Sequence, residues 1–148
     1  MPIPELNEHG LLPPGVHACT LDEIKIRFGS FVGSDRRVHI FAKLIELVSA
    51  LKRSGLFEAL LLDGSFVTAK TAPNDIDAIA LLRKGHDFER DLPISEYGLV
   101  SRTLLYRRFG FDVMVAQSGS SVYAAYLEYF SRVREAPALR KGLLQVEI

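Results

Sequence analysis

The chain has 148 residues, 48% of them hydrophobic and 24% charged, enough for one packed domain, short for two, and unlike a disordered segment. Eighteen basic side chains balance eighteen acidic ones, which argues against a protein whose whole surface clings to nucleic acid, though not against a local basic patch. A single cysteine, Cys19, excludes an internal disulfide and a cysteine-based zinc site; with no basic-then-apolar leader and no apolar run near membrane-spanning length, the expectation is a soluble cytoplasmic protein.

Residues 1–19 hold Pro2, Pro4, Pro13 and Pro14-Gly15 and read as an extended arm. It is a loose tail or a strap across the domain, and Leu11, Leu12 and Val16 point to the strap. Thr20-Leu21-Asp22-Glu23 is a capping box that predicts a short helix ending near Phe28-Gly29. His17 reads as a ligand or base, or as a structural histidine; a lone histidine in a Pro/Gly segment favours the second. Ser34-Asp35 caps a long helix over 36–54, where Val38, Phe41, Ile45, Val48 and Leu51 recur at three- and four-residue steps. The expected organisation is an arm with a short helix over 1–35, then one domain over 36–148.

Leu60-Leu61-Leu62 is an apolar run too short for a helix, broken by Asp63-Gly64-Ser65. Apolar residues resume from Ile76 to Leu82, so two near-continuous strands predict a sheet covered on both faces. Residues 83–95 are polar and broken by Pro93. A helix over about 96–108 ends in Arg107-Arg108, whose charges complement the helix dipole; on the alternative reading Arg102, Arg107 or Arg108 faces a substrate. A third strand spans 109–116 with Asp112 and Met114 on one face. The helix over 121–135 carries Val122, Ala125, Tyr126, Tyr129, Phe130 and Val133 at helical spacing, a pattern that favours core over a base-stacking platform. Arg132, Arg134, Arg140 and Lys141 give the C-terminal third a basic bias that could face a nucleotide or nucleic acid. Leu143 to Ile148 reads as a last short strand and a candidate edge. The predicted fold class is α/β (α+β), a small mixed sheet flanked by helices.

The chemistry lies in what interrupts the strands. Residues two apart on a strand point to one side, so Asp75 and Asp77 project together and Ile76 turns into the core. Two carboxylates at a strand's exposed end suit a hard divalent cation such as Mg²⁺, which removes their mutual repulsion. Gly64 has no Cβ to keep a phosphate away, and Ser65 supplies a hydroxyl and starts a helix whose free N–H groups favour anions. Lys70 is a point charge suited to triphosphate oxygens, or an exposed loop lysine. Together these residues are equipment for a Mg-nucleoside triphosphate.

Gly64-Ser65, nine intervening residues and then Asp75-Ile76-Asp77 resemble the Gly-Ser…Asp-x-Asp signature of the DNA polymerase β-like nucleotidyltransferase superfamily, and in brevity its minimal nucleotidyltransferases of bacteria and archaea. The stretch GSFVTAKTAPNDID, with LLPPGVH and KGLLQVEI, is also similar to a family of small bacterial proteins of that superfamily. The resemblance implies a nucleotidyltransferase-type core and a third carboxylate on a later strand, for which Asp112 is the candidate. It implies Asp75, Asp77 and Asp112 as the catalytic and metal-binding set for Mg²⁺ or Mn²⁺, with Gly64, Ser65 and Lys70 at the phosphates of an NTP. Minimal nucleotidyltransferases often carry arginine soon after the Gly-Ser pair; Phe66 stands there in this chain.

The expected activity is transfer of an NMP from an NTP to an acceptor (protein, RNA or small molecule) with release of pyrophosphate. No P-loop, GxGxxG, HExxH or Ser-His-Asp pattern supports another chemistry. The alternatives are a catalytically silent partner protein of this fold, such as a toxin–antitoxin component, and a regulatory domain that binds nucleotide without turnover.

Overall fold

Leu60, Leu61 and Leu62 are all fully buried, which consecutive strand residues achieve only when both faces of a sheet are covered. They lie on β2 (Phe57–Asp63) in the middle of a five-stranded sheet. The computed structural model describes residues 3–31, 33–74, 76–136 and 138–148. Among them the order is β1 (Gly15–Cys19), α1 (Leu21–Phe28), α2 (Arg36–Ser54), β2, and a 3₁₀ turn (Ser65–Val67) leading to β3 (Asp77–Leu82). There follow α3 (Ile94–Tyr97), a second 3₁₀ turn (Gly98–Val100), α4 (Arg102–Phe109), β4 (Asp112–Gln117), α5 (Ser121–Phe130) and β5 (Gly142–Glu147). This is the mixed α/β fold class expected. Among the described residues no helix is long and apolar enough to cross a membrane.

The strand order is β1-β5-β2-β3-β4. The outer pairs β1/β5 and β3/β4 are parallel, and β5/β2 and β2/β3 are antiparallel. Alternate residues feed two cores. Leu60, Leu62, Ala78, Ala80, Val113, Leu144 and Val146 pack with residues of α1, α2 and α4. Leu61, Ile79, Leu81, Ala116 and Leu143 pack with Tyr123, Tyr126, Leu127 and Phe130 of α5.

Local signals set several boundaries. Thr20 and Glu23 form the expected capping box on α1, with each side chain meeting the other's backbone N–H. The span of α2 is as expected, but its buried stripe runs Arg37, Ile40, Phe41, Leu44, Leu47, Val48, Ala50 and Leu51. Val38 and Ile45, expected in the core, are about half exposed. The stripe is displaced because Arg37 takes a core position. Asp35 is the N-cap residue without a side-chain cap bond; the Ser34 hydroxyl instead accepts from Arg36 N at 3.1 Å. The helix expected over 96–108 is divided into α3, the turn at Gly98–Val100 and α4, where Ser101 caps anew by accepting from Leu104 N. Likewise α5 ends at Phe130, short of the expected 135.

The arm behaves as the strap. Leu12 and Ile3 are buried, β1 pairs with β5, and Gly10 O accepts from Ala69 N at 3.1 Å. β5 is therefore no edge strand but lies between β1 and β2. Leu143, Leu144 and Val146, buried on both faces, carry the sequence signature of an interior strand. His17 donates from Nε2 to Pro13 O at 2.7 Å, a structural role.

The arm crosses β5 at Gly142, whose N–H donates to Leu12 O at 3.1 Å. A Cβ there would stand 2.8 Å from His17 Nε2 and 2.9 Å from Gly15 O, and closer still to the Pro13 carbonyl oxygen. Two of these neighbours are backbone and cannot swing aside. Gly142→Ala is therefore expected to cost about 1–3 kcal/mol, the usual range for overpacking, measured by urea unfolding.

Cys19 ends β1 in the core. Burial pushes its thiol up to about 11, and Glu23 adds to the shift. A raised folded-state pKa means that this group's contribution to stability is intact below the unfolded value, near 9, and is lost as pH rises through 11. At pH 8 the native thiol is expected to react slowly with a disulfide reagent and promptly once urea unfolds the chain.

Candidate functional site

β2 ends on an aspartate, and β3 and β4 each begin with one. Asp63 pairs with Asp77 across the antiparallel ladder, and Asp77 pairs with Asp112 across the parallel one. Cross-strand partners share a face, and Leu61, Ile79 and Met114, two residues along each strand, belong to the core under α5. Neighbouring strands lie about 4.8 Å apart, so three carboxyl groups stand in a row at one end of the sheet. Asp77 and Asp112 are thus brought together as the sequence predicts. Asp75 lies outside the described residues. Asp63, read from sequence only as part of the turn that breaks a strand, is the unexpected member; its signal was an acid directly before the Gly-Ser pair.

Cations close both ends of the row. Lys141, the residue before β5, brings Nζ to 3.1 Å from Asp63 Oδ1, with side chains 21% and 5% exposed. A charge pair this buried is costly to break from one side. At the other end Arg102, the first residue of α4, donates from Nε and Nη2 to the two oxygens of Asp112 at 2.7 and 2.8 Å. That bidentate bond holds the guanidinium above its usual range, with smaller contributions from Tyr126 and Asp77. Of the three arginines considered at the end of the predicted helix, Arg102 alone reaches the row among the described contacts. Arg108 stacks over Phe109 at 4.9 Å and lines a hollow with Ala50 and Arg53 of α2. The basic bias of the C-terminal third is largely neutralised internally: Arg132 and Arg140 share Glu128, at 3.2 and 3.6 Å, while Lys141 serves Asp63.

Gly64 has φ +92° and ψ 179°, a left-handed conformation that glycine adopts without strain. The turn itself needs glycine here, whether or not a phosphate approaches. A Gly64→Ala variant therefore carries a folding cost of its own. Ser65 opens a single 3₁₀ turn rather than the helix expected from sequence, so this turn brings no helix dipole to the site. Its Oγ accepts from Asn74 N at 3.1 Å, closing on itself the insert of residues 66–74. Lys70 sits exposed midway along that insert, and among the described residues no ion pair joins it to the aspartates.

The insert is held by a residue that sequence reading missed. Arg37 is fully buried, and its guanidinium makes five hydrogen bonds to four main-chain carbonyls, those of Phe28, Phe66, Thr68 and Lys70. It also lies 3.8 Å from the Phe31 ring centroid. Burial pushes Arg37 down to about 10, so it remains charged at neutral pH. The only sequence signal was a charged residue one step ahead of the apolar stripe.

The donors in the row are carboxylate oxygens, the ligands that hard divalent cations prefer. Asp77 and Asp112, starting adjacent strands on one face, fit one side of a Mg²⁺ or Mn²⁺ ion. Among the described residues no group of three His, Cys, Asp or Glu is placed to hold a metal. A cleft of about 780 Å³ opens elsewhere, lined by Leu82, Ala116 and Gln117 at the opposite ends of β3 and β4, with His86, Phe88 and Tyr97. It lies five residues along β3 from Asp77, roughly 16 Å away. Concavity and converging charge are separated in this protein, and catalytic chemistry of the kind expected needs the charge.

A protein-family model matches residues 4–147, from the arm through β5. The chain belongs to the family DUF6932. That family is described as one of unknown function, and its match takes in the strap, the insert and all five strands. No curated protein and no solved structure matches the chain.

Proposed function

We propose that this DUF6932 chain is a Mg²⁺-dependent cytoplasmic nucleotidyltransferase that moves a nucleoside monophosphate from a nucleoside triphosphate to an acceptor hydroxyl on a protein, an RNA or a small molecule. One observation carries the reading: Asp77 and Asp112 begin neighbouring parallel strands in direct register, beside the Gly64-Ser65 turn that follows Asp63. In this reading Asp75, Asp77 and Asp112 hold Mg²⁺ or Mn²⁺, which would supply positive charge to the attacking and departing oxygens. Gly64 and Ser65 face the β- and γ-phosphates. The acceptor oxygen forms a bond to the α-phosphorus as the bond to the β-phosphate oxygen breaks; pyrophosphate leaves, and Asp112 takes the acceptor's proton. The protein's contribution is chiefly positioning and charge.

Incubation with each α-labelled NTP, Mg²⁺ and host lysate tests this. The expected result is a labelled acceptor with matching pyrophosphate release; release that is absent for every nucleotide contradicts it.

The second reading is a catalytically silent partner protein, such as a toxin–antitoxin component. The bidentate Arg102–Asp112 pair favours it, because the guanidinium stands on the oxygens a metal would need. A stoichiometric protein partner, and no nucleotide turnover with or without it, would support that reading.

A further inference from the structure

Of the cations, Lys70, Lys141 and Arg102 were candidates for neutralising a bound triphosphate, and the structure separates them. Lys70 is exposed and makes no ion pair with the row among the described residues. Lys141 is tied to Asp63 in a buried pair. Phe66, next after the Gly-Ser turn, is apolar and fully buried. Arg102 remains, half exposed, with both arms of its guanidinium on Asp112.

We infer that Arg102 is the triphosphate-binding arginine of this site and clasps Asp112 only while the site is empty. The inference rests on the nucleotidyltransferase reading above. A bidentate guanidinium takes one lone pair on each carboxylate oxygen and sets a positive charge beside them, so Asp112 is a weak ligand for a cation until Arg102 leaves it. The fork that fits a carboxylate also fits two phosphate oxygens. Leaving is easy: the pair is solvent-exposed, at 59% and 36%, and such pairs are held weakly. The backbone need not move, because Leu105 and Phe109 anchor α4 in the core and Ser101 caps its start. A change of side-chain rotamer is enough. The same residue thus offsets carboxylate repulsion in the empty site and phosphate charge in the filled one.

An exchange of partners predicts effects of opposite sign, which neither a structural salt bridge nor a simple phosphate contact would give. Arg102→Ala frees Asp112, so calorimetric titration with Mn²⁺ alone should show several-fold tighter binding than in the unsubstituted chain. Titration of the Mn²⁺ form with α,β-methylene-ATP should show binding about tenfold weaker, the loss of one charge-assisted contact. Arg102→Lys, which keeps the charge without the fork, should bind Mn²⁺ more tightly and the analogue with an intermediate affinity. Thermal melts establish that both variants are folded. If both affinities move in one direction, or neither moves, the exchange is overturned, while Mn²⁺-dependent analogue binding by the unsubstituted chain leaves the nucleotidyltransferase reading standing. If the unsubstituted chain binds neither Mn²⁺ nor the analogue, both fail.

Discussion

Asp77→Asn is expected to weaken Mg²⁺-dependent triphosphate binding by about a hundredfold or more and to leave the fold standing. Asp77 is the middle member of the row, in register with Asp63 on one side and Asp112 on the other. Interactions with charged groups are worth about 1.5–3 kcal/mol each, and each 1.4 kcal/mol is tenfold in affinity; a ligand to a divalent cation lies at the upper end. Asparagine has nearly the same shape, and the ladder bonds of β3 come from main chain, so the strand persists. Removing one of three neighbouring charges also relieves repulsion in the metal-free protein. Calorimetry with a non-hydrolysable triphosphate, beside melting curves in metal-free buffer, separates the cases. Lost binding together with a melting point far below the unsubstituted chain's would make Asp77 structural.

Arg37→Met should be strongly destabilising, with a loss of about 3–5 kcal/mol. The long apolar side chain fills much of the same space but leaves the carbonyls of Phe28, Phe66, Thr68 and Lys70 without the donors they meet now. Each buried carbonyl left unpaired costs about 1–3 kcal/mol; relaxation of the insert and entry of water hold the sum below the simple total. Arg37→Lys should recover little, because a single ammonium cannot serve four carbonyls arranged around a planar fork. Guanidinium chloride unfolding measures both, and amide exchange should rise first in residues 66–70. A lysine variant as stable as the original would show that charge alone, not the fork, holds the insert.

How much of this was legible from the sequence depends on where the information resides. The strand pair around the Gly-Ser turn, the capping box at Thr20 and the span of α2 are local signals, and the structure follows them. The pairing of Asp77 with Asp112 needed only the strand starts and a parallel register. Tertiary context decided the rest. β5 was a candidate edge in the sequence, yet the arm pairs with it through β1, a contact between residues more than a hundred positions apart. Arg37 was missed because its partners are main-chain carbonyls, which leave no trace in side-chain pattern. Asp63 read as a turn residue because its partner Lys141 lies 78 positions away. The Arg102–Asp112 clasp joins two residues each read as candidates for the site, but nothing in their spacing says that they meet.

The central claim is that Asp77 and Asp112 jointly hold a divalent cation beside a triphosphate. Crystals grown with Mn²⁺ and a non-hydrolysable nucleoside triphosphate test it directly through the anomalous scattering of manganese. The predicted result is a peak about 2.1 Å from carboxylate oxygens of both Asp77 and Asp112, with Arg102 turned away from Asp112 onto the phosphates. Manganese found elsewhere, or Arg102 still holding both oxygens of Asp112 beside a bound triphosphate, would contradict the account.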